Sequence, residues 1–337
     1  MNMKSWITDV ICNPKRIAIP ILTHPGIEMT GKTVLDAVTD GKIHTEAICA
    51  LNERFPSAAT TVIMDLTVEA EAFGCAVNFS EDEVPTVSYH LVSSFEEVQQ
   101  LPVPSLSAGR VPQYVLANQL TAAAITGKPV LGGCIGPYSL AGRIFDMTEI
   151  MMAIYTEPDT ICLLLEKCSQ FLTEYCRAMK TAGVNGVVIA EPAAGLLSDD
   201  DCRQYSSLYV KQIVDALQDD SFSVILHNCG NMGQCTQAML STGAHGYHFG
   251  NAMNMVEALE ICPPDVLVMG NLDPVGVFRM SSTEQVKQAT KNLLEKTAGY
   301  RNFVLSSGCD VPPRTPTENV EAFYEALAEF NHCELRM

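Results

Sequence analysis

Residues 186–228 read GVVIAEPAAGLLSDDDCRQYSSLYVKQIVDALQDDSFSVILHN and contain a complete strand, helix and strand unit. The two outer runs, GVVIAE (186–191) and SVILHN (223–228), stay apolar almost throughout and end on polar residues. The segment between them spaces its apolar residues near the 3.6-residue period of a helix. Apolar strands that alternate with helices are typical of a parallel sheet covered on both faces.

The same unit recurs along the chain. Six further apolar runs have strand character: RIAIPIL (16–22), TTVIMDL (60–66), PVLGG (129–133), HGYHFG (245–250), VLVMGN (266–271) and FVLSSG (303–308). Eight strands separated by helical segments predict a (β/α)8 TIM barrel, with an open doubly wound sheet as the competing architecture. A barrel needs only about 250 of the 337 residues, so we expect an N-terminal helical extension and an irregular or hairpin insertion at about 75–115. No repeat or flexible linker divides the chain, which predicts a single domain over residues 1–337.

Charge and composition narrow the possible partners. The net charge of -18 and the pI near 4.7 disfavour nucleic acids and anionic membrane surfaces, since both attract clustered Lys and Arg. No apolar run approaches the roughly 20 residues that cross a bilayer, and the N-terminus lacks the features of a signal peptide. The 13 cysteines are odd in number and scattered, which favours free thiols in a reducing compartment. We therefore predict a cytoplasmic protein.

The chemistry is expected where the strands end, because catalytic residues of a barrel lie at the carboxyl ends of its strands. Seven reactive side chains terminate or follow the predicted strands: Asp65, Glu191, His227, Cys229, His248, Asp273 and Cys309. Some of them could instead cap the next helix, a common position for Asp. The number of such residues still indicates a catalytic site.

His227, Cys229 and Cys309 form the most specific candidate site among these residues. Imidazole and thiolate ligands suit zinc, and a catalytic zinc site offers three protein ligands and one open position. Residues i and i+2 of an extended segment face the same side, so His227 and Cys229 can both face the barrel mouth. Two alternatives stay open: a buried core histidine with apolar cysteines, or a disulfide between Cys229 and Cys309.

At these residues the chain resembles the uroporphyrinogen decarboxylase superfamily, and within it the zinc-dependent methyltransferases that move a methyl group from a methylated corrinoid protein to coenzyme M. The segments that carry the resemblance are MDLTVEAEAFGC (64–75), GGCIGPYSLAGRI (132–144), AEPAAGLLS (190–198), HNCGNM (227–232), GNLDPV (270–275) and SSGCDVPPRTPTENVEAF (306–323). The resemblance implies a TIM barrel with Zn²⁺ held by His227, Cys229 and Cys309. It implies an enzyme of the EC 2.1.1 class.

The decarboxylase branch is a poorer match. Its members bind a polycarboxylate tetrapyrrole through arginines near the N-terminus, whereas only Lys15 and Arg16 are basic around the first predicted strand. Asp65 does occupy a position similar to the central acidic residue of the family. Glu191 stands where relatives often carry Asp, and its longer side chain could reach the metal as a fourth ligand.

The resemblance implies methyl transfer to a thiol such as coenzyme M or to another acceptor such as tetrahydrofolate. Zinc would ionise the thiol, which would attack the methyl group of methyl-cobalt(III) and leave cobalt(I). The D-x-H-x-x-G pattern of base-off corrinoid binding is absent, so a separate corrinoid protein is the expected partner. Asp65 and Glu191 are predicted as catalytic residues. The predicted substrate-binding residues are Asn231, His248, Asp273 and Arg314, with Arg143 as a second candidate cation for a sulfonate.

Three other functions are also compatible with the sequence. The barrel could catalyse the partner reaction, in which a methyl group is removed from a methylated compound and transferred to a corrinoid protein. It could be a tetrapyrrole decarboxylase. It could also be a zinc-binding or tetrapyrrole-binding barrel without catalytic activity that acts in a complex.

Overall fold

The computed structural model of the chain describes residues 1–334. The helices are α1 Met3–Cys12, α2 His24–Met29, α3 Val34–Thr39, α4 Gly41–Arg54, α5 Val68–Phe73, α6 Phe95–Gln100, α7 Val111–Ala124, α8 Pro137–Phe145, α9 Met147–Thr156, α10 Pro158–Thr181, α11 Asp199–Cys202, α12 Leu208–Leu217, α13 Thr236–Leu240, α14 Met255–Ile261, α15 Thr283–Lys296 and α16 Thr317–Glu334. A 3-10 turn covers Ala193–Leu196, and π-helical turns cover Arg203–Ser207 and Pro274–Arg279. The strands are β1 Thr60–Thr61, β2 Val77–Asn78, β3 Thr86–Val87, β4 Val130–Ile135, β5 Gly186–Ala190, β6 Ser223–Asn228, β7 Gly246–Phe249, β8 Leu267–Leu272 and β9 Phe303–Ser307.

Seven of these strands form one parallel sheet in the order β1-β4-β5-β6-β7-β8-β9. Residues 17–21 lie between its two edges. The Ile19 amide donates to the Leu305 carbonyl at 2.9 Å, and the Ala58 amide donates to the Ala18 carbonyl at 3.0 Å. The predicted barrel is therefore confirmed, with the first predicted strand present as an extended segment rather than a regular strand. Pro20 explains the difference, because it has no amide hydrogen to continue the ladder.

The interior of the barrel is filled at its amino-terminal end. Its small core contains Ile19, Ala59, Leu131, Val188, Ile225, Leu267, Met269 and Val304, joined by Ile7 of α1. Helix α1 is the predicted N-terminal extension, and Asn2 caps it by accepting a hydrogen bond from the Ser5 amide. Because this end is closed by apolar packing, the polar residues at the other ends of the strands line the open mouth.

The insertion after β1 contains the expected hairpin, in which Val77 pairs with Val87. It also contains helix α6 and the start of α7, which the polar and proline-rich pattern does not predict. Ser94 caps α6 by accepting a hydrogen bond from the Glu97 amide, and proline stands near the amino end of α7, where a missing amide hydrogen costs little. Across the described part of the chain, every helix is too short or too polar to span a membrane.

Candidate metal centre

Three side chains converge at the barrel mouth. His227 lies in β6, Cys229 directly follows that strand, and Cys309 follows β9. One donor atom of each lies within 4.8 Å of the other two, with His227 buried and both cysteines partly exposed. Strands β7 and β8 separate β6 from β9, so the curvature of the sheet brings the three together. Both cysteines are free thiols, and this compact nitrogen and sulfur set fits zinc.

A chain of hydrogen bonds fixes the orientation of the His227 ring. The Ser306 hydroxyl donates to the Ile19 carbonyl at 2.7 Å, so it accepts from His248 Nε2 at 2.8 Å. Burial, followed by the neighbouring His227, lowers the pKa of His248 well below its ordinary value, which keeps this ring neutral. With its proton on Nε2, His248 accepts at Nδ1 from His227 Nδ1, 2.8 Å away. His227 Nε2 is thereby left as a lone-pair donor.

His227 Nε2 is buried and has no hydrogen-bond partner within the described residues. A buried polar atom without a partner is costly, and a metal ion would satisfy it. The hydrogen bond from Cys309 lowers the pKa of Cys229 to about 7 even though burial opposes this effect. The same contact, together with burial, raises the pKa of Cys309. One thiolate therefore forms near neutral pH before any metal charge is added.

The loop that carries Cys229 depends on close backbone packing. A Cβ atom at Gly250 would lie 2.3 Å from the Cys229 carbonyl oxygen, so this position after β7 admits only glycine. Asn231 is fully buried, and its Oδ1 accepts from the amides of Gly233 at 2.9 Å and Cys235 at 3.0 Å. In this structure Asn231 holds the Cys229 loop, and its amide nitrogen donates to the Thr236 hydroxyl at 3.1 Å rather than facing the barrel mouth free.

Asp65 is buried in an ion pair with Arg110. Its other oxygen accepts from the Thr67 amide at 3.0 Å and the Thr67 hydroxyl at 2.8 Å. Arg110 also donates to Glu71 at 2.6 Å. The sequence-based interpretation missed Arg110, because it lies in the insertion and no local motif links it to a carboxylate 45 positions earlier.

The Glu191 carboxylate is turned toward the amino end of α8. It accepts from the amides of Tyr138 at 2.8 Å and Ser139 at 2.9 Å, and from the Ser139 hydroxyl at 2.6 Å. Burial raises its pKa although these bonds oppose the effect. Glu191 touches the His227 strand through its backbone amide, which donates to the His227 carbonyl at 2.8 Å. Its carboxylate is not part of the group formed by the three donor atoms.

The remaining predicted substrate-binding residues differ in their surroundings. Asp273 caps the π-helical turn after β8, where its Oδ1 accepts from the amides of Val275 at 2.9 Å and Gly276 at 2.8 Å. The proline that follows Asp273 is a sequence signal for such a cap. Arg314 is exposed and pairs with Asp82 at 3.0 Å. Arg143, by contrast, is half-buried on α8 and lines a cavity.

A buried cluster beside Cys309 was not predicted. Asp310 accepts from the Thr23 hydroxyl at 2.6 Å and lies 3.1 Å from His24 Nδ1. Burial alone would lower the pKa of His24, but the charge of Asp310 and the contact with it raise the value. The cluster joins the chain after β9 to the start of α2. Its sequence signal is weak, since a single His and a single Asp lie nearly the whole chain apart.

Comparison with known proteins agrees with this architecture. The uroporphyrinogen decarboxylase (URO-D) family profile matches residues 7–330. The methylcobamide:CoM methyltransferase MtbA of Methanosarcina acetivorans is 30% identical over 279 residues, which cover 81% of this chain and 80% of that protein. The uroporphyrinogen decarboxylase of Alcanivorax borkumensis is 25% identical over 291 residues, covering 83% of this chain and 81% of the relative.

A solved methyltransferase structure from Methanosarcina mazei shares the fold with a TM-score of 0.87 at 23% identity, covering 98% of this chain and 99% of its own. The profile match and the MtbA similarity both extend over most of the chain. The relatives are enzymes, either methyltransferases or decarboxylases. This chain belongs to the uroporphyrinogen decarboxylase (URO-D) family.

Proposed function

We propose that this chain is a zinc-dependent methyltransferase that moves a methyl group from a protein-bound methylated corrinoid to a thiol acceptor such as coenzyme M, or to another acceptor such as tetrahydrofolate. The observation that carries the proposal is the approach of one donor atom each from His227, Cys229 and Cys309 to within 4.8 Å of the others, with His227 Nε2 unpaired. The similarity to MtbA supports the same chemistry.

His227, Cys229 and Cys309 would hold the zinc ion. When bound, zinc supplies a positive charge that stabilises the thiolate form of an incoming thiol at neutral pH. His248 sets the protonation of His227 so that Nε2 is available as a donor. Asn231 fixes the Cys229 loop, while Glu191 anchors the adjoining segment to the start of α8. We assign Asp65, which is held by Arg110, to positioning the mouth on the side of β1.

The charges at the mouth favour methyl transfer over tetrapyrrole decarboxylation. A porphyrinogen with many carboxylates requires several unpaired cations, whereas Arg110 is engaged by Asp65 and Glu71, and Arg314 is engaged by Asp82. Of Arg110, Arg143 and Arg314, only Arg143 has no carboxylate within salt-bridge distance in residues 1–334, and Arg279 in the turn after β8 is exposed to solvent. One half-buried unpaired cation suits a small anion better than a polyanion.

The partner would dock over the same mouth. Several loops that follow the strands expose apolar side chains to solvent, and these are Leu196 after β5, Met232 after β6, and Val275 and Met280 after β8. Exposed apolar side chains around a functional cavity are typical of a protein contact surface. We therefore propose an apolar docking face for a corrinoid protein, formed by these four residues. Asp substitution of Met232 should weaken association with the corrinoid protein without changing the metal content.

The proposal is tested first by metal analysis. Purified protein should contain about one zinc per chain, and Cys229→Ala and Cys309→Ala should each lose most of it. Cys262→Ala is the control, since Cys262 is also a free thiol but is buried at the end of α14 and is not part of the three-residue group. Retention of zinc by both variants, with loss in the control, would refute the assignment of the ligands.

The second test measures methyl transfer in both directions. Zinc-loaded protein is mixed with methylcobalamin and a panel of thiols, and the appearance of cob(I)alamin is followed by absorbance. The partner reaction is measured from methylated donors to cob(I)alamin. Transfer in the first assay that depends on zinc supports the proposed direction, whereas transfer in the second assay alone supports a demethylase. Absence of transfer in both, with stable binding of a corrinoid protein, would indicate a non-catalytic role.

A further inference from the structure

A cavity of about 640 Å³ lies beside the candidate metal centre, between α8 and residues 192–196, and residues 87–90 of the hairpin segment border it. Its lining residues are Val87, Ser88, Tyr89, His90, Ser139, Gly142, Arg143, Asp146, Met147, Pro192, Ala193 and Leu196. Apart from residues 87–90 of the hairpin, these residues follow β4 and β5, so the cavity opens on the carboxyl face of the barrel, where substrates of this architecture bind. Its volume falls in the range of sites for organic ligands.

The cavity shares a wall with the Cys229 loop. The lining segment that begins at Pro192 packs directly on Gly230, because a Cβ atom at Gly195 would lie 2.3 Å from the Gly230 carbonyl carbon. Ser139 lines the cavity, and its hydroxyl donates to Glu191 at 2.6 Å. The Glu191 amide in turn contacts the His227 carbonyl at 2.8 Å. An occupant of the cavity would therefore lie against segments that pack on the Cys229 loop and on the His227 strand.

Arg143 supplies the only arginine or lysine charge among the lining residues, and its surroundings leave that charge unpaired. Within residues 1–334 its guanidinium has no hydrogen bond or ion pair to a protein acceptor. Burial lowers the pKa of Arg143, but arginine stays protonated at physiological pH. Asp146 also lines the cavity, but its Oδ1 is used as the cap of α9, accepting from the amides of Thr148 at 2.8 Å and Glu149 at 3.1 Å.

We propose that this cavity binds an organic anion whose acid group pairs with Arg143 and whose apolar body packs on Met147 and Leu196. A two-carbon thiol sulfonate would fill only a small part of the space, so the cavity favours a larger anion with an apolar or aromatic body. The assignment of that anion as the small-molecule substrate of methyl transfer rests on the proposed function. The binding of the anion to the cavity does not depend on the proposed function.

The test uses 8-anilinonaphthalene-1-sulfonate as a fluorescent probe with an aromatic body and one sulfonate. Native protein should bind it at one saturable site, and Arg143→Met should weaken binding about tenfold or more, the effect of losing a hydrogen-bonded charge partner. Arg177→Met is the matched control, because Arg177 is exposed on α10 and lies outside the cavity. The uncharged N-phenyl-1-naphthylamine should bind less tightly and should not distinguish the two variants.

A second pair of variants tests the cavity at a position other than Arg143, so that misfolding of one variant does not decide the result. Leu196→Asp places a negative charge at an exposed cavity position and should also weaken binding, whereas Leu208→Asp, equally exposed on α12, should not. Cys309→Ala should bind the probe as the native protein does, so a failure of the metal proposal remains distinguishable. Equal probe affinity in Arg143→Met and Arg177→Met, with circular dichroism unchanged, would overturn the proposal.

Discussion

Replacement of Glu69 by Gln should remove a pH-dependent loss of stability. Glu69 is almost fully buried in α5, where its Oε1 accepts from the Ile135 amide at 3.1 Å and its Oε2 has no partner in the described structure. Burial raises the pKa of this carboxyl group to about 7, from an ordinary value of 4.5, although the backbone hydrogen bonds oppose the effect. Gln keeps the acceptor oxygen and resembles the protonated acid.

The size of the effect follows from proton linkage. The folded chain holds the Glu69 proton up to about pH 7, whereas the unfolded chain releases it near pH 4.5. The favourable contribution is therefore complete below pH 4.5 and is lost as the pH rises to 7. At about 1.4 kcal/mol for each pH step, the native protein should lose roughly 2 to 3 kcal/mol relative to Glu69→Gln between pH 5 and pH 8.

The assay is urea unfolding at pH 5 to 8, followed by circular dichroism, with the metal content held constant. The difference in free energy of unfolding between Glu69→Gln and the native protein should grow with pH in favour of the variant. Glu96→Gln is the control, since Glu96 is exposed in the first turn of α6 and should give a nearly constant difference. A pH-independent difference for Glu69→Gln would mean that Glu69 is ionised throughout and that the reasoning from burial is wrong.

Three further substitutions test residues that hold the candidate site in place through hydrogen bonds or ion pairs. Asn231→Ala should lower the free energy of unfolding by about 1–3 kcal/mol, because buried amides lose their acceptor, as measured by urea unfolding. His248→Phe should weaken zinc binding by about tenfold to a hundredfold in a chelator competition, because His227 loses the acceptor that orients it. Arg110→Met should cost about 3–5 kcal/mol in unfolding free energy by leaving a buried carboxylate unpaired. Adding Asp65→Asn to that variant should recover part of the loss.

The parallel strands could be predicted because they are apolar on both faces and end on polar residues. Seven of the eight predicted segments contain regular strands, and the eighth is the one with Pro20 inside it. The helices of the insertion were not predicted, since their evidence is a cap at Ser94 and a proline near the start of α7 rather than a long apolar period. Short polar helices are specified by their ends, which periodicity does not detect.

The candidate ligands stand out in sequence because zinc requires unusual residue types at strand ends. The residues that hold these ligands in place do not stand out, because hydrogen bonds such as those between His227, His248 and Ser306 join different strands through common residue types. Asp273 shows the converse. It follows a predicted strand and was predicted to bind substrate, yet the proline after it indicates a cap, and the structure shows it capping the following turn. A position at a strand end therefore indicates a place near the mouth but does not distinguish chemistry from capping.

The charge of the mouth cannot be inferred from the charge of the chain. The net charge of -18 opposes an anionic ligand only over distances that salt leaves unscreened, about 8 Å at physiological ionic strength. Within that distance the balance is set by pairing. Arg110 is neutralised by Asp65 and Glu71, whereas burial raises the pKa of Glu69 to about 7, so Glu69 is only partly ionised near neutral pH and neutralises Arg143 incompletely. An acidic protein can therefore present a cation to an organic anion where burial keeps a neighbouring carboxyl group partly protonated.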